Sequence, residues 1–381
     1  MPLPTASRGD IAPFYVMEVM RAAAEREAAG GDILHLEVGQ PATAAPSGAR
    51  AAAHRAIDAD VLGYTSAVGL PALRERLAQH YTDWYDHEID PDHIVITQGA
   101  SGAFTLAFLA CFDVGAKVVV PSPGYPCYRN TLTALGVDVV DLPVGPDTRF
   151  QPSPEQLDQL GPIDGLVVAS PSNPTGTMLL PAELRTLVDW CRANDVRLIS
   201  DEIYHGITYG TAAPTAAKEW SEAVVVNSFS KYFSMTGWRL GWLVLPPNLV
   251  APVERLAQNA TVAAPTISQH AALGAFDSID ELEANIDRYR TNRQILLQGL
   301  PTVGIDRLAP ADGAFYVYAN VDHLTNDSQT LARQWLVEHG IAATPGIDFD
   351  PANGHRYIRF SFAGSSDDMR ATIERLRIAL G

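Results

Sequence analysis

The chain is short of positive charge, of cysteine and of long apolar runs, and each shortage removes a class of function. Its 27 lysines and arginines face 44 aspartates and glutamates in 381 residues, a formal net charge of −17. Nucleic-acid binding rests on basic residues that neutralise phosphates, and anionic membranes attract basic segments likewise, so neither partner is expected. The three cysteines, Cys111, Cys127 and Cys191, are odd in number, scattered and without C-x-x-C spacing. That suits free thiols in a reducing compartment and gives no basis for a disulfide framework or a zinc site. Ten histidines are dispersed without an H-E-x-x-H pattern, and no metal site is expected. The longest apolar stretch, Ala103 to Phe112, falls far short of the ~20 residues of a membrane-spanning helix. Residues 1–10 lack the apolar core of a signal peptide, so the expected location is the cytoplasm. Neither G-x-G-x-x-G nor a Walker pattern occurs, and Gly99-Ala-Ser-Gly-Ala103 lacks the final glycine of a hydrolase elbow.

What the chain does have is alternation. Apolar, β-branched runs at 93–97, 117–121, 137–141, 165–169, 197–200, 223–226 and 242–245 read as strands. Helical patterns at 101–111, 181–194 and 248–258 lie between several of them. This order predicts an α/β fold, with a large domain whose mainly parallel sheet is covered by helices on both faces. Near Ser278 the texture changes. Residues 279–300 read as a charged helix with Ser278 at its N-cap, followed by strands at 313–320 and 357–362, a helix at 330–339 and a closing helix from Asp367. These make a smaller α+β domain. The expected division is an N-terminal segment, 1–45, packing on the small domain, a large domain, 46–277, and the small domain, 278–381.

Ligands on parallel sheets bind at the carboxyl ends of the strands. Lys231 follows the 223–226 run in Ser228-Phe-Ser-Lys-Tyr-Phe-Ser-Met-Thr-Gly-Trp-Arg-Leu-Gly241. A lysine leaving a buried strand loses hydration, its pKa falls, and it can serve as an amine nucleophile. Ser228 and Arg239 flank it with a hydroxyl and a planar fork suited to phosphate. Asp201, in Ser200-Asp-Glu-Ile-Tyr204, ends another buried run and needs a partner. It reads equally as a helix cap with Tyr204 as packing. Asn173 sits in Ser170-Pro-Ser-Asn-Pro-Thr-Gly-Thr177, which is at least a tight turn. Gly99-Ala-Ser-Gly102 joins a strand to a helix, where Ala100 and Ser101 could offer free N–H groups to an anion. Tyr125 follows the next strand and can stack on a flat ring or simply pack its loop. Arg359, in Tyr357-Ile-Arg-Phe-Ser-Phe362, can grip a carboxylate, with Arg356 as a rival three residues away. His205, next to Tyr204, reads as a loop or core histidine.

The order of these features resembles that of class I and II aminotransferases, and the resemblance spans nearly the whole chain. It implies pyridoxal phosphate as cofactor and the fold type I of its enzymes. Lys231 would bind the cofactor covalently, Asp201 would hold its ring nitrogen, and Asn173 and Tyr204 its phenolic oxygen. Ser228, Arg239, Ala100 and Ser101 would hold its phosphate, with Tyr125 over the ring. Arg359 and the backbone of Gly39, in Leu36-Glu-Val-Gly-Gln-Pro41, would bind the α-carboxylate of an amino acid or 2-oxo acid. Tyr64, in Gly63-Tyr-Thr-Ser-Ala-Val-Gly69, reads equally as a core anchor in a glycine-rich loop, but it matches a tyrosine that crosses a dimer interface to the neighbouring phosphate, which implies a homodimer. The implied reaction is ping-pong transfer of an amino group.

A C–S β-lyase on the same fold shares most of these residues, and a cofactor-sensing regulator would need an added DNA-binding domain. No arginine occurs in 258–270, where the family often places one for a side-chain carboxylate. That tilts the donor toward neutral or aromatic side chains. Pro345-Gly-Ile-Asp-Phe-Asp350 departs from the family's Pro-Gly-x-x-Phe-Gly at Asp350.

Overall fold

The computed structural model describes residues 3–381, and in it the expected α/β architecture is present. The strands, in chain order, are β1 (Leu34–His35), β2 (Ile94–Thr97), β3 (Lys117–Ser122), β4 (Asp138–Pro143), β5 (Gly165–Ala169) and β6 (Arg197–Asp201). They continue with β7 (Val224–Ser228), β8 (Gly241–Val244), β9 (Tyr316–Asn320), β10 (Ile341–Ala342), β11 (Thr344–Pro345) and β12 (Tyr357–Ser361). Seven form one sheet in the order β2-β8-β7-β6-β5-β3-β4, in which only β8 runs against its neighbours. Away from the edge strand β4, which exposes Asp138 and Asp141, their apolar runs are continuous because both faces are covered. Within them the period of two persists. Leu166 and Val168 enter one hydrophobic cluster and Val167 the other, as Val225 does opposite Val224 and Val226.

The ends of β5 and β6 lie level, with Ala169 beside Asp201, and β7 runs two residues further, since Asp201 pairs with Val226 and the strand ends at Ser228. Because β8 is reversed, its first residue, Gly241, pairs with both Ser228 and Thr97. The turn holding Lys231 and Arg239 therefore returns to the edge it left.

A second sheet, β11-β12-β9, is antiparallel, and β1 pairs in parallel with β10, Leu34 opposite Ile341. The helix Ile279–Thr302 starts at Ser278, but Ser278 does not cap it. Its hydroxyl accepts the Gly48 N–H at 3.0 Å, and Glu281 accepts the Ser47 N–H at 3.0 Å. Both side chains serve the open N-terminus of the neighbouring helix Ser47–Ala59, whose preceding residue is Pro46 and offers no side-chain acceptor. The helix Tyr15–Ala28, which buries only Ala23, was not foreseen from the sequence. Among the described residues no helix is long and apolar enough to cross a membrane.

Candidate active site

The carboxyl edge of the large sheet opens into a cavity of about 630 Å³. Lys231, Asp201, Tyr204, Asn173, Ser228 and Arg239 line it, together with Ala100, Ser101, Tyr125, Gly39 and Arg359. Of the residues to which the resemblance gives a role at the cofactor or substrate, Tyr64 alone stands apart. It is 87% exposed and does not line the cavity.

Lys231 donates from Nζ to the Gly39 carbonyl at 2.5 Å, with the Tyr204 ring 5.7 Å away. Burial, and then the nearby Arg359 cation, pulls its pKa down to about 8, against the pull of Asp201. Asp201 is buried at the end of β6. Its Oδ1 accepts the Ile203 N–H at 3.0 Å and its Oδ2 accepts a short hydrogen bond from the Tyr128 hydroxyl. Burial raises its pKa to about 6, and the two hydrogen bonds oppose the rise.

Arg359 is 3% exposed, and its guanidinium stacks 4.4 Å above the Tyr316 ring and 4.7 Å from that of Phe349. Nη1 donates to Asn173 Oδ1 at 2.8 Å, Nη2 donates to the Glu37 carbonyl, and Nε is buried without a partner. The Tyr316 hydroxyl lies 2.7 Å from that of Tyr204. Gly39 is glycine because a Cβ there would lie 2.0 Å from the Tyr316 hydroxyl oxygen.

At the other end of the cavity, Ala100 and Ser101 begin the helix Gly99–Cys111. The Arg239 guanidinium lies across this N-terminus, so close that a Cβ on Gly99 would meet Nη2 at 2.6 Å. Gly99 has φ +71°, which also favours glycine. Ser228 Oγ donates to the Leu240 carbonyl at 3.0 Å and accepts the Ser230 N–H at 3.0 Å. Arginine, hydroxyls and free helix N–H groups make a ready anion cradle. Tyr125 stacks on Phe14, ring centroids 5.9 Å apart, and burial pushes its hydroxyl pKa upward.

Arg356 lies before β12 and donates to Asn353 Oδ1 at 2.7 Å, outside the cavity lining. Asp350 closes its own turn, accepting the N–H groups of Ala352 and Asn353 at 2.9 and 3.0 Å. His205 lies 3.0 Å through Nε2 from the Ser170 carbonyl and 2.7 Å through Nδ1 from the Tyr85 hydroxyl. Burial lowers its pKa to about 3, so the ring is neutral: Nε2 donates and Nδ1 accepts.

Among the lining residues that escaped the sequence reading are Tyr128 and Tyr316, together with Val16, Met17 and Met20 of the helix Tyr15–Ala28. Tyr128 is three residues after Tyr125 at the start of the helix Pro126–Leu135, and that spacing was its only signal. Tyr316 shares a strand face with Tyr318, which pairs with Arg359 across β9 and β12. Among the described residues no group of three or more histidines, cysteines or acids could hold a metal.

The family model described as aminotransferase class I and II matches residues 31–376. The chain belongs to that family. It is 51% identical, over 97% of each chain, to the valine–pyruvate aminotransferase of Mycobacterium tuberculosis. It is 32% identical to the aspartate/prephenate aminotransferase of Thermus thermophilus, covering 97% of this chain and 96% of that one. A crystal structure of an aminotransferase from M. tuberculosis superposes with a TM-score of 0.98 at 50% identity, over 100% of this chain and 99% of the other. The protein is thus an aminotransferase acting on amino acids and 2-oxo acids, and the lyase and regulator readings are not favoured.

Proposed function

We propose that this aminotransferase uses pyridoxal phosphate to move an amino group between an aliphatic L-amino acid, valine in the first place, and pyruvate. It works by a ping-pong route, as a homodimer in the cytoplasm. The observation that carries the reading is one cavity with Lys231, Asp201 and Arg359 on its polar walls and the uncharged Val16, Met17 and Met20 on another. The printed name of the M. tuberculosis relative supports the same pair of substrates. The 87% exposure of Tyr64, beside Val61 at 96%, supports a second copy covering this face.

The residues fit the cofactor. The cradle at Gly99 and Arg239 suits its phosphate, and the buried Asp201 suits a protonated ring nitrogen. Bound there, pyridoxal phosphate supplies an electron sink that makes the substrate's α-hydrogen acidic. Asp201 would hold the ring nitrogen's proton, with Tyr128 keeping the carboxylate aimed. Asn173 and Tyr204 would hold the phenolic oxygen, and Tyr125 would cover the ring face. Ser228, Arg239 and the N–H groups of Ala100 and Ser101 would hold the phosphate, joined by Tyr64 from the second copy. Arg359 grips the α-carboxylate through its fork, beside the backbone of Gly39. Lys231 holds the cofactor between turnovers, and its Nζ, lowered in basicity by burial, takes and returns the α-proton.

A donor panel with pyruvate as acceptor, followed by alanine formation, tests the assignment. Valine and its aliphatic neighbours are expected to exceed aspartate by at least about tenfold in kcat/KM, since the apolar wall offers no partner to a second carboxylate. Aspartate outrunning valine would overturn it.

A further inference from the structure

The helix that walls the cavity does not cap itself. Tyr15–Ala28 follows Phe14, which makes no side-chain cap. Its first two N–H groups, those of Tyr15 and Val16, donate instead to Asp348 Oδ1 at 2.9 Å and Oδ2 at 3.2 Å. Asp348 stands 333 positions from Tyr15 in sequence and is buried. One carboxylate thus serves two of the open donors of a helix start, with favourable charge.

The neighbours of Asp348 belong to the site. Phe349, the next residue, lies 4.7 Å from the Arg359 guanidinium, and its carbonyl accepts the Gly124 N–H at 3.1 Å, next to Tyr125. From Val19 onward the helix packs Val19, Ala22 and the buried Ala23 against Ile33, Leu336 and Ala342, and Arg26 donates to the Val337 carbonyl at 2.6 Å, while Met17 in its first turn stays 58% exposed at the cavity. Helices owe most of their stability in proteins to a buried face. Here that face begins at Val19, and the first turn is held by the Asp348 carboxylate.

We propose that Asp348 is a positioning residue for donor selectivity: it clamps the N-terminus of Tyr15–Ala28 so that Val16 and Met20 meet a branched apolar substrate side chain. The inference rests on the apolar-donor reading above. A methyl side chain such as alanine's is too short to use that wall, so the clamp matters for valine and little for alanine.

The test measures single-turnover kcat/KM of the holoenzyme for valine and for alanine in Asp348→Asn and Asp348→Ala. Valine is expected to fall about tenfold, mainly through KM, and alanine by less than about twofold. Loss of the negative charge near Arg359 would act on both donors alike, since both present the same carboxylate, so the ratio isolates the clamp. Tyr15→Pro, which removes one donating N–H at a position where proline suits a helix, is expected to lower the valine-to-alanine ratio relative to Tyr15→Ala. That pair of variants carries the test if the Asp348 variants do not fold. An unchanged ratio in the folded variants, or equal loss for both donors, overturns the proposal. A wild type that rejects valine instead overturns the donor assignment.

Discussion

The carboxyl edge of the seven-stranded sheet and the small sheet with its N-terminal helix face the same cavity but are assembled differently. On the large-sheet side, Asp201 and Ser228 close β6 and β7, and Asn173 and Lys231 follow within four residues of the ends of β5 and β7, so the ladder fixes where each turn leaves the sheet. On the other side each position depends on remote chain. Arg359 is held by Asn173 and by the Glu37 carbonyl, 186 and 322 residues away, and the helix start is held by Asp348. The first wall suits chemistry that must not move. The second suits recognition, where a set of long-range contacts can shift with the occupant.

Substitutions can break or sharpen this contrast. Lys231→Ala should have the largest effect, lowering amino transfer by about 10⁴-fold or more while the protein still binds pyridoxal phosphate non-covalently. Near-normal turnover would end the assigned role. Arg359→Ala should follow, with kcat/KM down by roughly 10²- to 10³-fold, because a bidentate partner of a buried carboxylate is lost. Arg359→Lys should recover little, since a point charge does not replace the fork. Recovery to within about threefold would mean that the small-sheet wall supplies only charge. Tyr128→Phe should cost about tenfold or less, as one hydrogen bond to Asp201 disappears. It should also raise the pKa of Asp201 above about 6 in the cofactor-free chain, readable by carboxyl NMR or infrared titration.

The smallest expected effect concerns pH. In the cofactor-free protein Lys231 loses its proton near 8 rather than at the ordinary 10.5. Capture of pyridoxal phosphate, which needs the neutral amine, should therefore accelerate with pH with a midpoint near 8. A midpoint near 10.5 would deny the dry setting. Between these values the unfolded lysine binds more proton than the folded one, so this group's contribution to stability improves as pH rises through the window.

The large-sheet side was legible in the sequence because its signals are local. An apolar run, then a polar residue, then a turn already places Lys231 or Asp201 at a strand end. Arg359 was legible through its strand pattern and the family resemblance. Tyr316 was harder, because an aromatic on a buried strand face looks the same whether it packs a core or lies beneath an arginine. The helix Tyr15–Ala28 was passed over although its methionine, alanine, glutamate and arginine favour a helix, and its clamp left no sequence signal. No nearby residue announces a cap supplied from 333 positions away. Ser278 erred in the opposite direction, since a serine before a helix says nothing about which helix start its hydroxyl will serve.

The reversed strand β8 deserves a last consequence. Ser228 and Gly241 are partners in the same ladder, so the twelve residues between them form a loop stitched shut at its base. Lys231 and Arg239 ride on that single loop, and neither can travel without carrying the other. A sheet deformation that tilts the amine therefore tilts the guanidinium by the same motion, so the two attachments proposed for pyridoxal phosphate would move as one handle instead of pulling against each other.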